Sequence, residues 1–127
     1  MKKYIFLTIS VILAGAVIWT VWYWHDKIEK LIATVDYACS GGNSIHASLY
    51  EGKTIPGNGP DQPPIPGGSA KVSLSDGRKF ALQQTISADG VRYANADESF
   101  VFWTKGPNAL VLENGQQKDY TDCVQTQ

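Results

Sequence analysis

The chain has 127 residues, 43% of them hydrophobic, and a formal net charge of −1 at pH 7, so it has room for one folded domain. Beyond residue 33, seven Lys and Arg residues stand against ten Asp and Glu residues, which gives that part a charge of −3. This balance argues against nucleic acid as a partner, because binding to a phosphate backbone needs a basic surface.

The first predicted element is a membrane-spanning helix at residues 4–24, a stretch that contains no charged side chain. At 1.5 Å per residue the segment would be about 31 Å long, close to the hydrocarbon thickness of a bilayer. Lys2 and Lys3 precede it, and an aromatic cluster at residues 19–24 resembles the interfacial belt of membrane helices. We therefore expect the chain to be held at a membrane through residues 4–24.

A cleaved signal peptide is the alternative, since residues 14–16 (Ala-Gly-Ala) have the small-x-small form of a cleavage site. Cleavage after Ala16 would leave an exposed apolar stretch at the new N-terminus, so an uncleaved anchor is the preferred interpretation. Residues 25–33 then predict a helical continuation of the anchor, a plain stalk with Ile28, Leu31 and Ile32 on one side. The predicted division is an anchor and stalk at residues 1–33 and a folded domain at residues 34–127.

Two cysteines, Cys39 and Cys123, bracket the folded part of the chain. Such a pair predicts a disulfide formed in an oxidising compartment, and two unrelated buried thiols are the alternative. Together with the anchor, this predicts a single-pass protein of the cell membrane whose domain lies on the periplasmic or extracellular side.

Short segments with β-strand character follow one another beyond residue 34. They are residues 35–39, 44–50, 71–74, 79–83, 91–93, 99–104, 109–112 and 120–124, separated by turns rich in Gly, Asn and Asp. A Pro- and Gly-rich segment at residues 54–68 interrupts them and predicts an extended loop, either a spacer or a ligand for a proline-binding module. Seven or eight such strands without helical periodicity predict an antiparallel sandwich or small barrel.

Residues with catalytic or metal-binding patterns are scarce in this sequence. His25 and His46 are the only histidines, and neither lies near a Ser or Cys in a recognisable nucleophile–base arrangement. Metal-ligand spacing and a phosphate-binding glycine loop are also missing, so we expect no cofactor and no metal. These observations favour a binding module over an enzyme.

Two motifs carry a resemblance to a known family. Residues 87–93 read SADGVRY and residues 101–109 read VFWTKGPNA, and the flanking segments 37–39 (YAC) and 120–123 (YTDC) complete the pattern. The set resembles the MliC family of bacterial inhibitors of c-type lysozyme over about residues 36–124. The resemblance implies an eight-stranded antiparallel barrel that protects peptidoglycan by blocking the muramidase cleft with its surface loops.

The resemblance also implies how particular residues act. In the family, a lysine and a serine meet the two catalytic carboxylates of lysozyme, and Lys105 matches that lysine by its place in the Trp-x-Lys-Gly motif. Asp89 stands where the family has its serine, and Ser87 lies two residues earlier. The implied lysozyme-binding set is Lys105, Ser87, Asp89, Gly90, Tyr93 and Gly106, with Tyr93 and Trp103 expected to support the loops from within.

Asp89 also supports a second hypothesis. A carboxylate at this position would approach the enzyme's two carboxylates and be repelled, unless one of them is protonated or Lys105 lies between. The alternative function is therefore a cell-envelope binding module of the same fold that recognises another protein or a glycan.

Overall fold

The computed structural model describes residues 29–126, and the predicted membrane helix at residues 4–24 lies outside this range. Within residues 29–126, no helix has the length and hydropathy that a membrane crossing requires. The described chain forms eight strands: β1 (Lys30–Ala38), β2 (Ser44–Glu51), β3 (Ser69–Leu74), β4 (Lys79–Thr85), β5 (Val91–Ala94), β6 (Phe100–Lys105), β7 (Asn108–Glu113) and β8 (Cys123–Thr126).

The strands close into one antiparallel barrel, in which each strand pairs with the next and β8 pairs with β1. This confirms the all-β, eight-stranded antiparallel fold. Alternation along the strands directs one face inward: Ile45 and Ala47 of β2 are buried, and their neighbours face solvent. Phe102 lies at the centre of the core, with ring centroids 5.8 Å from Tyr37 and 6.3 Å from Tyr93.

The disulfide between Cys39 and Cys123 is present and joins residues 84 positions apart, as the cysteine pattern predicted. It connects the residue that follows β1 to the first residue of β8. Since β1 and β8 are the pair that closes the barrel, the cross-link stabilises the sheet where its first and last strands meet.

The helical interpretation of residues 30–33 is wrong, because these residues form the first part of β1. Lys30 pairs with Glu51 and Leu31 with Tyr50, and a bulge follows between Leu31 and Ala33. Apolar residues three and four apart fit a helix face, but here the hydrogen bonds of β2 determine the conformation. Leu31 is consequently 52% exposed rather than packed on a helical stripe.

The final strand also differs from its prediction at residues 120–124, since β8 begins only at Cys123. Tyr120 lies in the preceding loop and is 2% exposed. Its hydroxyl accepts a hydrogen bond from the backbone N–H of Asp76 at 3.3 Å. The aromatic ring therefore fills the core from a loop rather than from a strand.

The Pro- and Gly-rich segment is an extended ribbon of two arms that one isolated β-bridge joins. Ile55 and Ile65 exchange both backbone hydrogen bonds, each at 2.9 Å. A side chain at Gly67 would collide with the backbone of Lys53, so glycine is required for the two arms to approach this closely. The ribbon extends the β2–β3 connection beyond the barrel.

Candidate functional site

Connections between antiparallel strands alternate between the two ends of the barrel. The ribbon between β2 and β3, residues 86–90 between β4 and β5, and residues 106–107 between β6 and β7 therefore share one end. We call it the Lys105 end. Five of the six large hydrophobic residues that are exposed in the described chain lie in these loops or at the start of β1, which begins at the same end: Leu31, Ile32, Ile55, Ile65 and Ile86. Exposed apolar side chains grouped in this way are typical of an interaction surface.

Lys105 is the last residue of β6 and projects from this end, with 72% of its side chain exposed. Gly106 and Pro107 form the two-residue turn to β7, and Lys105 pairs with Asn108 across it. Gly106 has φ of 56°, a conformation that glycine adopts without steric cost and that two-residue hairpins require. The turn thus presents Lys105 to solvent on a fixed backbone.

Asp89 contacts Lys105 directly. Its carboxylate forms an ion pair with the Lys105 ammonium group, and 60% of the Asp89 side chain is exposed. The register of β5 and β6 brings the two together, since Val91, two residues after Asp89, pairs with Thr104, the residue before Lys105. We call Lys105 and Asp89 the tip pair. Exposed ion pairs contribute only about 0.2–1 kcal/mol each, so the pair is a feature of surface charge more than of stability.

The backbone of Asp89 is held in place from two sides. Its carbonyl oxygen accepts hydrogen bonds from Trp103 Nε1 at 2.8 Å and from Ser87 Oγ at 2.6 Å. Trp103 was predicted to support the loops, and this bond confirms it. Ser87 Oγ donates to the same carbonyl oxygen and keeps its acceptor lone pairs, so its predicted contact with lysozyme stays a prediction.

Gly90 allows the loop to lie against β6. Its φ is 67°, and a Cβ at this position would overlap the carbonyl oxygen of Thr104. Any larger residue would push the loop, and Asp89 with it, away from Lys105. The sequence motif showed the glycine, but this close approach is visible only in the three-dimensional structure.

Tyr93 lies inside the barrel rather than at the tip. It is 5% exposed, packs on Phe102, and burial raises the pKa of its hydroxyl. It is buried in the core, as its predicted supporting role requires, and any effect it has on a partner must act through the packing of β5. The structure therefore gathers Lys105, Asp89, Ser87, Gly90 and Gly106 at one end and places Tyr93 beneath them.

Arg92 and Glu98 form a neighbouring ion pair that the sequence did not reveal. Two hydrogen bonds of 3.0 and 3.2 Å join them, and they lower the pKa of the Glu98 carboxyl. A further bond of 2.8 Å joins Arg92 to the hydroxyl of Thr85 at the end of β4. Arg92 is thus bound to Glu98 and Thr85 and does not compete with Lys105 for Asp89.

Among residues 29–126, no cluster of three or more His, Cys, Asp and Glu side chains could hold a metal ion. His46 lies on the outer face of β2 and shares a hydrogen bond of 2.6 Å with Asp36. It is separate from the tip pair.

Comparison with known proteins gives one match. The family model of the membrane-bound lysozyme-inhibitor of c-type lysozyme, MliC, matches residues 65–119. No curated protein and no solved structure matches the chain. The matched residues run from the second arm of the ribbon to beyond β7 and include both members of the tip pair. The resemblance seen in the sequence motifs is thereby confirmed over this range.

Proposed function

We propose that this chain, whose residues 65–119 match the MliC family model, inhibits c-type lysozyme by placing the Lys105 end in the enzyme's substrate cleft. The observation that carries the proposal is the exposed ammonium group of Lys105 on a rigid two-residue turn. Lysozyme hydrolyses its substrate with two acidic residues, one of them ionised, at the base of the cleft. An ammonium group that reaches them forms charge-assisted hydrogen bonds while its loops exclude the substrate.

The disulfide supports the compartment that we propose. A cross-link between Cys39 and Cys123 is stable in an oxidising environment, as expected for a domain on the periplasmic or extracellular side. Lysozyme would be met there, beside the cell wall. We propose a membrane anchor at residues 4–24 to hold the domain in this place, in keeping with the membrane-bound description of the family.

A cell-envelope binding module is the second candidate function, and one observation favours it. Asp89 neutralises Lys105 within the tip pair, so the tip carries less positive charge than a lysine beside a serine would. A partner other than a doubly acidic cleft could accept such a tip. It would have to present a cation or a hydrogen-bond donor to Asp89.

Addition of the purified full-length chain, in a non-ionic detergent, to a cell-wall clearing assay tests the first function. We expect micromolar concentrations of the chain to slow clearing by c-type lysozyme, because the cleft is occupied. Heat-denatured chain in the same detergent is the control. Clearing at the uninhibited rate would reject the lysozyme function and leave the second candidate.

A further inference from the structure

We propose that the tip pair makes this chain selective for lysozyme whose general acid is protonated, with Lys105 bound to the ionised catalytic carboxylate and Asp89 accepting a hydrogen bond from the neutral acid. This inference rests on the proposed function and specifies which state of the enzyme the chain recognises. Asp89 is then a residue that determines specificity rather than an obstacle to binding.

The backbone of Asp89 is held beside Lys105, so the carboxylate at this position stays within reach of the ammonium group. Two hydrogen bonds to its carbonyl oxygen fix its backbone, and the contact of Gly90 with Thr104 fixes the loop against β6. A partner that approaches the ammonium group of Lys105 therefore comes within reach of the Asp89 side chain, whose backbone position does not change.

The charged groups around Asp89 determine how its negative charge is balanced. Lys105, on β6, is the charged group that contacts it in the described chain. Arg92, the charged residue of the adjacent strand β5, is bound to Glu98. The remaining neighbours that bond to Asp89 are the neutral side chains of Ser87 and Trp103. Among residues 29–126, charge compensation of Asp89 is therefore limited to Lys105.

Lys105 and Asp89 can each bind one of the two catalytic acidic residues of lysozyme. A lysine ammonium has three N–H donors and a carboxylate has about four acceptor positions, so each member of the tip pair keeps capacity for a partner. A tip with one cation and one anion fits a cleft with one carboxylate and one neutral carboxylic acid. Two ionised carboxylates would repel Asp89, because a like charge at hydrogen-bonding distance is unfavourable.

The consequence is a pH dependence with a defined sign. The general acid of lysozyme has a pKa of about 6, raised by its apolar pocket. Below pH 6 the acid is protonated and can donate to Asp89, and above pH 6 it ionises and repels Asp89. Binding that requires the protonated form weakens about tenfold for each pH unit above that pKa, with a limit of about 100-fold between pH 5 and pH 8.

Calorimetric titration of c-type lysozyme with the full-length chain at pH 5, 6, 7 and 8 tests the inference, because it measures binding and not the pH-dependent activity of the enzyme. We expect at least tenfold weaker binding at pH 8 than at pH 5. Asp89→Asn, which keeps the shape of the side chain and removes its charge, should change less than threefold over the same range. Asp89→Ser should follow Asp89→Asn and bind more tightly than the parent chain at pH 8.

Two controls keep the outcomes distinct. Both variants differ from the parent chain only at position 89, so every other ionisable side chain is the same in all three proteins. Both leave the carbonyl bonds of Asp89 in place, and thermal unfolding of each variant should match that of the parent chain. A parent profile that parallels Asp89→Asn would overturn this inference and leave the proposed function standing. No binding by the parent chain at any pH would overturn both.

Discussion

Replacement of Lys105 with alanine is expected to weaken the binding of lysozyme by roughly 30-fold or more, since loss of one partner of a buried charge pair typically costs about 2–5 kcal/mol. In the free chain Lys105 is exposed, and Asp89 is its ion-pair partner among the residues that the structure describes, so its removal does not disturb the core. In the complex, the same removal would leave the enzyme's carboxylate and Asp89 facing each other without a cation. Calorimetric titration near pH 5, where the parent chain should bind best, measures the effect.

Lys79→Ala is the matched control for this experiment. Lys79 is also an exposed lysine at the end of a strand, but it begins β4 at the opposite end of the barrel. We expect the affinity of the Lys79→Ala variant for lysozyme to stay within twofold of that of the parent chain. Equal losses in both variants would mean that lysozyme responds to overall charge, and an unchanged affinity in Lys105→Ala would show that the family's contact does not operate in this chain.

Removal of the disulfide is expected to produce the largest loss of stability. With Cys39 and Cys123 both replaced by serine, the chain-entropy model predicts a decrease in the free energy of unfolding of about 4.5 kcal/mol for a loop of this length. The cross-link joins β1 to β8, so its loss would also weaken the closure of the barrel. Denaturation of the full-length variant in urea, monitored by tryptophan fluorescence, measures the change.

The parent chain treated with a reductant provides the comparison for the double-serine variant. Both should unfold at similar urea concentrations, well below the oxidised parent, because both lack the same constraint. A loss of less than 1 kcal/mol would mean that strand pairing alone closes the barrel and that the cysteines contribute little.

Much of the barrel could be predicted because its strands alternate buried and exposed residues and its turns carry Gly, Asn or Asp. Residues 44–50 and 99–104 lie within one residue of β2 and β6 for this reason. The start of β1 could not be predicted in the same way. Leu31 and Ile32 fit either a helix face or a bulged strand, and only the pairing of Lys30 with Glu51 decides between them.

The candidate site shows a similar division. The motifs identified Lys105, Asp89 and the two turn glycines, because each turn needs particular residue types at particular positions. The ion pair between Lys105 and Asp89 depends on the register of β5 against β6. The hydrogen bond that holds the Asp89 carbonyl comes from Trp103, 14 residues away. Such contacts join distant segments, and a single sequence contains no local signal for them.

The occupation of the lysozyme cleft is the central claim, and steady-state kinetics with a soluble oligosaccharide substrate test it most directly. With increasing full-length chain, we predict that the KM of lysozyme rises and that kcat stays constant, because substrate and inhibitor exclude each other from the same cleft. A fall in kcat with KM unchanged would place the chain elsewhere on the enzyme and would contradict the claim.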